Sequence, residues 1–304
     1  MRALITGSEG FIGRHLTAEL RANGYEVIGG DISSGADELL DITDLSALCF
    51  LLSELRPELI INLAGQANVG LSWKQPQTTV ELNTVGFLNL AEAVKDFDRS
   101  IRIIAIGSAD EYGRLGDRGV SVTEETPLSP ANPYSVSKYA QELFAEMYVK
   151  NSGLDICCVR LFNLSGAGQG RGFMIPDFAS GIAEIEAGRR DFLPVGNLES
   201  ARDFTHVKDA CRALRLIAEK GRTGGIYNIC SGRAYKAQEI LDRLVSMARV
   251  PVEVRPDPAR MRPSDTPVIC GDHSKLTAHT GWEPRLGIDD ILSDVLEYWR
   301  GGKA

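Results

Sequence analysis

The chain has 304 residues, 43% of them hydrophobic, with 33 Lys and Arg against 41 Asp and Glu for a net charge of −8. That length buries a large core and suits a main domain with a smaller lobe, while the acidic balance argues against nucleic acid, whose phosphates demand clustered Lys and Arg. His15, His206, His273 and His279 lack metal-ligand spacing, so no metal is expected, and most of the six cysteines, which form no C-x-x-C, read as small core residues of a protein in a reducing cytosol.

Met1 to Thr6 reads as a short apolar strand that runs into Gly7-Ser8-Glu9-Gly10-Phe11-Ile12-Gly13 and then an amphipathic helix to about Asn23. Glycines between a strand and a helix allow a tight turn and a close approach of backbone to a pyrophosphate, whose charge meets the helix N-terminus. A second strand, Gly24 to Asp31, completes a β-α-β unit with an acid at its end. The pattern predicts a dinucleotide site lined by Gly7, Gly10, Phe11, Ile12 and Gly13, with Asp31 placed to accept from the adenosine ribose; the plainer alternative is that Asp31 only opens the polar loop 31–35. A carboxylate there repels a 2′-phosphate, so of NAD(H) and NADP(H) the sequence favours NAD(H).

Strand and helix patterns then alternate: a strand over 58–63, a helix over 78–94, a strand over 101–107, a helix over 133–150 and a strand over 155–162. Alternation at this spacing predicts an α/β fold, a Rossmann-type doubly wound parallel sheet with helices on both faces. Ser108 closes the fifth strand at its C-terminal end, where open α/β sheets place ligands. Asn132 is set to cap the next helix and Pro133 suits its first turn, so Tyr134 and Lys138, four apart, share one face near a rigid helix start. By spacing alone they are an ordinary surface pair. Behind a nucleotide unit, the ammonium is expected to lower the phenol's pKa from about 10 and make Tyr134 a proton donor or acceptor.

After Asn163 the texture changes to Gly- and Pro-rich loops broken by shorter elements. The expected division is therefore 1–163 as the NAD(P)-binding domain, with about 205–230 returning to it, and 164–304 as mainly a substrate lobe. Within that lobe Arg202 and Arg262 stand beside Asp203 and Asp265. Guanidinium groups grip pyrophosphate bidentately, and pairing with the neighbouring acids is the plainer alternative. Asn163 either donates to substrate phosphate or satisfies a turn. No apolar run approaches ~18 residues and Arg2 leads directly into a strand, so neither a membrane span nor a signal peptide is expected, and the cytoplasm is the expected location.

Taken together, the chain resembles the extended short-chain dehydrogenase/reductase family of nucleotide-sugar enzymes over essentially its whole length. The residues that carry the likeness are Gly7, Gly10 and Gly13; Asp41-Ile42 at the adenine-contact position; Asn62-Leu63-Ala64-Gly65 after the fourth strand; Asn83 in the following helix; Ser108; and Tyr134 with Lys138. Phe162-Asn163, Gly168-Gln169-Gly170, Val195-Gly196-Asn197-Leu198, Arg202-Asp203-Phe204, Arg262-Pro263-Ser264-Asp265 and Thr280 to Pro284 look like the branch that handles GDP-mannose derivatives. The resemblance implies cofactor contacts at Asp41, Ile42, Leu63, Ala64, Gly65, Asn83, Tyr134 and Lys138. It implies a substrate set of Ser108, Asn163, Arg202, Arg262 and Asp265, and a homodimer built on a four-helix bundle from the helices near 78–94 and 133–150.

Within that branch the likeness is greatest to the 4-ketoreductases. The implied reaction moves hydride from NAD(P)H to the 4-keto group of a GDP-linked 6-deoxy-4-keto hexose, giving GDP-D-rhamnose or its C4 epimer. The alternatives are a 4,6-dehydratase or an NAD-dependent epimerase, and, in another class, an inactive cofactor sensor, which intact Ser108, Tyr134 and Lys138 oppose. A dehydratase needs a base two residues after the Ser or Thr, usually Glu, and here stands the shorter Asp110. Glu111 is expected to point away from it, as neighbours in an extended segment do. The chain also lacks room for the longer dehydratase insertions. Two residues depart from the branch pattern: Leu164 in place of a histidine and Ala167 in place of a proline.

Overall fold

The computed structural model describes residues 1–113, 121–260 and 268–302. Strand β1 (Arg2–Thr6), helix α1 (Phe11–Ala22) and β2 (Glu26–Asp31) form the expected β-α-β unit. The short β3 (Glu38–Leu39), α2 (Leu45–Leu55) and β4 (Leu59–Asn62) follow, with Asp44 capping α2 by accepting from the Ala47 N–H at 3.0 Å. The single helix expected over 78–94 is divided and longer: α3 (Val69–Lys74), α4 (Pro76–Val80), a π-helical turn at Glu81–Val85, and α5 (Gly86–Phe97). Pro76 has no N–H with which to continue α3, so it opens a new helix, and the wider π turn carries Asn83, which is fully buried.

Strand β5 (Arg102–Ser108) ends in a 3₁₀ turn at Ala109–Tyr112. Helix α6 (Pro133–Ser152) begins as its sequence predicts, with the Asn132 side chain accepting from Ser135 N–H at 2.8 Å and Pro133 in the first turn. It stops at Gly153 in the left-handed region, φ 69°. Strand β6 (Asp155–Leu161) completes the expected series. Beyond it lie β7 (Asn163–Ser165), α7 (Met174–Glu186), β8 (Leu193–Val195), β9 (Ala201–His206), α8 (Val207–Lys220), β10 (Ile226–Ile229), β11 (Ala234–Lys236), α9 (Ala237–Ser246), β12 (Val254–Pro256), β13 (Val268–Ile269), α10 (Ser274–Thr280) and α11 (Ile288–Arg300). This half holds more helix than its loop-like texture predicts. Pro176 falls in the first turn of α7, where an N–H has no intrahelical partner to lose, so it does not interrupt the helix.

The main sheet runs β10-β6-β5-β4-β1-β2-β3 with every pairing parallel. Its order reverses between β1 and β4, and the crevice at that switch point is where such sheets bind ligands. The stretch near 205–230 returns through α8 and β10, while β9 joins β7, β11 and β13 in a small second sheet. One face of the main sheet packs under Leu16, Leu20, Leu214 and Ile217 of α1 and α8, and the other under Leu48, Phe87, Leu90 and Tyr148 of α2, α5 and α6. A separate core, including Ile182, Leu244 and Val295, joins α7, α9 and α11. Among the described residues no helix is long and apolar enough to cross a membrane.

Candidate active site

A cavity of about 670 Å³ opens along the C-terminal ends of the strands at the switch point. Gly7, Gly10, Phe11, Ile12 and Gly13 form one wall, Leu63 and Gly65 another, and Ser108, Asp110, Tyr134 and Lys138 its floor, with Asn163 and Arg202 from the second half closing it. The turn after β1 is drawn tight by the Gly7 N–H donating to Gly30 O at 2.8 Å. Gly7 sits at φ 71°, where an added Cβ would lie 2.8 Å from Ala64 N, and a Cβ on Gly13 would lie 2.4 Å from Gly7 O. Only glycine allows these approaches, and they leave a backbone cradle over the start of α1 that fits a pyrophosphate.

Asp31 stands at the end of β2 and accepts from the N–H groups of Glu9 and Ser33, each at 3.0 Å. It lies outside the cavity wall, as do Asp41, Ile42, Ala64 and Asn83. Asp41 is exposed and accepts from Thr43, and Ile42 is buried against Gly86. Asn83 is wholly buried: its Oδ1 accepts from Gln66 N–H at 2.8 Å, and its amide donates to Gln66 O and Ser137 Oγ, both at 3.0 Å. It therefore ties the loop after β4 to α6. Arg262 and Asp265 lie outside the described residues.

The side chains of Ser108 and Tyr134 meet from β5 and α6, the hydroxyl hydrogen-bonding the phenol. Both are nearly buried, at 9% exposure. The expected lowering of the Tyr134 phenol does not occur. Burial pushes it well above its ordinary value, and the carboxylates of Asp110 and Glu111 push the same way against the Ser108 hydrogen bond. Lys138 turns its ammonium inward instead, donating to Ile106 O at 2.8 Å, and burial pulls its pKa down to about 8 against the attraction of Glu111. Tyr134 thus rests as a protonated phenol and Lys138 as a readily discharged ammonium.

The segment after Ser108 is a 3₁₀ turn rather than an extended strand, which corrects the expected geometry of Asp110 and Glu111. Ser108 caps it, its hydroxyl accepting from Asp110 N–H at 3.1 Å. Asp110 faces the cavity, where burial raises its carboxyl and the guanidinium of Arg202 opposes that rise. Glu111 folds back beneath the strand and is fully buried, so it is kept from the cavity for a reason other than strand alternation. Arg202 and Asp203 are neighbours on β9 and point to opposite sides. Asp203 accepts from the N–H groups of Ser231, Gly232 and Gly271, which answers for its charge without Arg202.

Sequence reasoning missed Gln66, Asn68, Phe173 and Ile175 in the wall. Polar loop residues and single apolar residues carry no periodic signal, and only the fold brings them to the crevice. The two departures from the branch pattern have visible consequences. Leu164 lines the cavity, and the N–H that Ala167 has and a proline lacks donates to Asp294 of α11 at 3.0 Å. A second cavity, about 770 Å³, opens at the opposite ends of the strands among Arg56, Glu58, Arg102 and Asp155, and holds none of these residues.

A family model described as GDP-mannose 4,6 dehydratase matches residues 4–295. The GDP-6-deoxy-D-mannose reductase of Pseudomonas aeruginosa is 34% identical over 301 residues, covering 98% of this chain and 97% of that protein. The GDP-6-deoxy-D-talose 4-dehydrogenase of Aggregatibacter actinomycetemcomitans is 30% identical over 298 residues, covering 97% of each. The solved structure of RMD from Pseudomonas aeruginosa complexed with NADPH superposes with a TM-score of 0.91 at 32% identity and covers 99% of both chains. With its parallel sheet, its glycine turn and its Ser108, Tyr134 and Lys138 at one crevice, the chain belongs to the GDP-mannose 4,6-dehydratase family of short-chain dehydrogenase/reductase enzymes.

Proposed function

We propose that the protein is a reductase that transfers hydride from NAD(P)H to the 4-keto group of a GDP-linked 6-deoxy-4-keto hexose, giving GDP-D-rhamnose or its C4 epimer. The observation that carries this reading is the Tyr134 phenol, which burial favours in its acid form, beside the Ser108 hydroxyl in the cavity of a chain that the reductase relative matches across 98% of its length. A carbonyl being reduced must gain a proton on oxygen, and a phenol held in its acid form is the group to give it. The Ser108 hydroxyl holds that oxygen in line with Tyr134. The nicotinamide, when bound, supplies the hydride. The backbone turn of Gly7 to Gly13 holds its pyrophosphate, Lys138 and Tyr134 hold its ribose, and Arg202 with Asn163 grips the GDP phosphates.

Net oxidation of NAD(P)H at 340 nm with the GDP-4-keto sugar is the test. Turnover without net cofactor change would replace the reductase by a dehydratase or epimerase. The dehydratase reading has one observation in its favour, a cavity-facing Asp110 whose carboxyl is raised by burial, as a base for the C5 proton requires. Efficient conversion of GDP-mannose by the unmodified protein, with no cofactor consumed, would establish it.

NADH is the preferred donor on this reading, because the Asp31 carboxylate stands at the end of β2 where a 2′-phosphate would be repelled. The protein works in the cytoplasm, where its six free cysteines stay reduced. It works as a homodimer. Val136, Leu143 and Met147 lie on one stripe of α6, each at least 40% exposed, beside exposed Val80 and Val85. An apolar stripe of this kind suits burial against a second copy across a helix bundle. Light scattering of the parent and of Leu143→Glu should give a dimer and a monomer, respectively.

A further inference from the structure

We propose that Glu111 is a positioning residue, whose carboxyl fastens the end of β5 that carries Ser108 and provides the counter-charge that keeps Lys138 an ammonium. The inference rests on Ser108, Tyr134 and Lys138 forming the reacting site. Glu111 is 0% exposed, and its Oε1 accepts from the Ser108 N–H at 2.6 Å. It is packed so closely that a Cβ on Gly107 would lie 2.5 Å from that oxygen. The residue that presents its hydroxyl to Tyr134 is thus held from below by a carboxyl rather than by backbone alone.

The second oxygen is the informative one. Among the described residues Glu111 Oε2 has no hydrogen-bond donor, and neither does Gln141 Oε1 of α6, whose amide donates to the same Ile106 O that Lys138 engages. Two buried acceptors without a donor flank one strand end, an arrangement that favours a proton on the carboxyl. The charged groups facing Glu111 are Lys138 and Glu142 from α6 and Arg160 from β6, with the Tyr134 phenol and the Cys158 thiol also within its field. Burial first and Glu142 second push Glu111 up to about 8, against the Ser108 N–H, Arg160 and Lys138. Lys138 is pulled down by burial into the same range.

The pair therefore titrates as a unit. As pH rises through the range in which burial would strip Lys138 of its proton, Glu111 becomes a carboxylate, and its charge favours the ammonium. The ammonium persists to a higher pH than its buried position would otherwise allow.

Glu111→Gln separates this role from a merely structural one. The amide keeps the shape and can still accept from Ser108 N–H, but the charge never develops. The Lys138 titration, followed by NMR of ¹³Cε-labelled lysine and assigned by the signal lost in Lys138→Met, should move down by on the order of one pH unit. The alkaline limb of kcat/KM for the keto sugar should move with it, while the rate at pH 6.5 stays within about threefold of the parent. Glu111→Leu, which cuts the tie to Ser108, should lower kcat about tenfold or more with little change in KM for the cofactor. Coincident Lys138 titrations in folded parent and Glu111→Gln would overturn the proposal, with or without turnover. A shifted titration in a protein that does not reduce the keto sugar would sustain it and refute the reductase reading. Should Glu111→Leu not fold, the Glu111→Gln titration still decides.

Discussion

Gly13→Ala is the sharpest test of the glycine cradle. The added Cβ would lie 2.4 Å from Gly7 O and 2.5 Å from Ser8 O. Carbon and carbonyl oxygen approach to about 3.3 Å in ordinary contacts, so the overlap is roughly 0.9 Å against two backbone atoms that no rotamer change can move. Alanine improves helix propensity by about 1 kcal/mol, and overpacking of this kind costs about 1–3 kcal/mol, so the net loss of stability should reach at most about 2 kcal/mol. Binding suffers more. Retreat of the turn by about 0.9 Å carries a pyrophosphate hydrogen bond beyond its ~3.2 Å limit, and two charge-assisted bonds lost at about 1.5 kcal/mol each weaken Kd on the order of 100-fold. Cofactor fluorescence titration measures Kd, and thermal melting measures stability. Gly170→Ala, where an added Cβ meets nothing within 4 Å, is the stability control and should be nearly neutral. A Gly13→Ala protein that binds NADPH and NADH within about threefold of the parent would refute the argument that backbone closeness builds this site.

Three further outcomes are expected. Tyr134→Phe should fold and bind cofactor but lose about 100-fold or more in kcat, and stopped-flow rates within tenfold of the parent would remove Tyr134 from proton transfer. Arg160→Leu should destabilise the protein by about 3–5 kcal/mol in urea titrations, because it leaves Glu142 buried without the guanidinium that reaches it at 2.7 Å. Adding Glu142→Leu should restore most of that loss, and a single variant within about 1 kcal/mol of the parent would contradict the account. The parent should bind NADH more tightly than NADPH by calorimetry and Asp31→Ser should narrow the gap, whereas a parent that prefers NADPH overturns the role given to Asp31.

The main sheet was legible because each of its units is local. An apolar run, a glycine turn and an amphipathic helix within thirty residues specify a β-α-β unit before any long-range contact forms, and Asn132-Pro133 announces the start of α6 from two adjacent residues. Helix α7 was illegible for the converse reason: a proline in its first turn looks like a loop signal until the helix around it is known. The split of the 78–94 span is similar, since Pro76 lies just outside the periodic segment and the π turn has no signature in a window read for a 3.6-residue repeat.

The candidate catalytic residues divide along the same line. The identities and local spacing of Ser108, Tyr134 and Lys138 belong to the sequence, as do the glycines whose absent side chains make room for a pyrophosphate. Their charge states belong to the tertiary structure. A Tyr and a Lys four apart on an exposed helix would lower the phenol, but burial raises it, because solvation is lost from every side at once while Lys138 is drawn away to Ile106 O. The same holds for Asp110 and Glu111, adjacent in the chain, which a 3₁₀ turn sends to opposite sides of the strand end: one into the cavity with Arg202, the other beneath it with Lys138. Spacing along a chain fixes which groups are candidates to meet. Desolvation and the charges brought by distant elements, here β6, α6 and β9, decide which of them hold a proton.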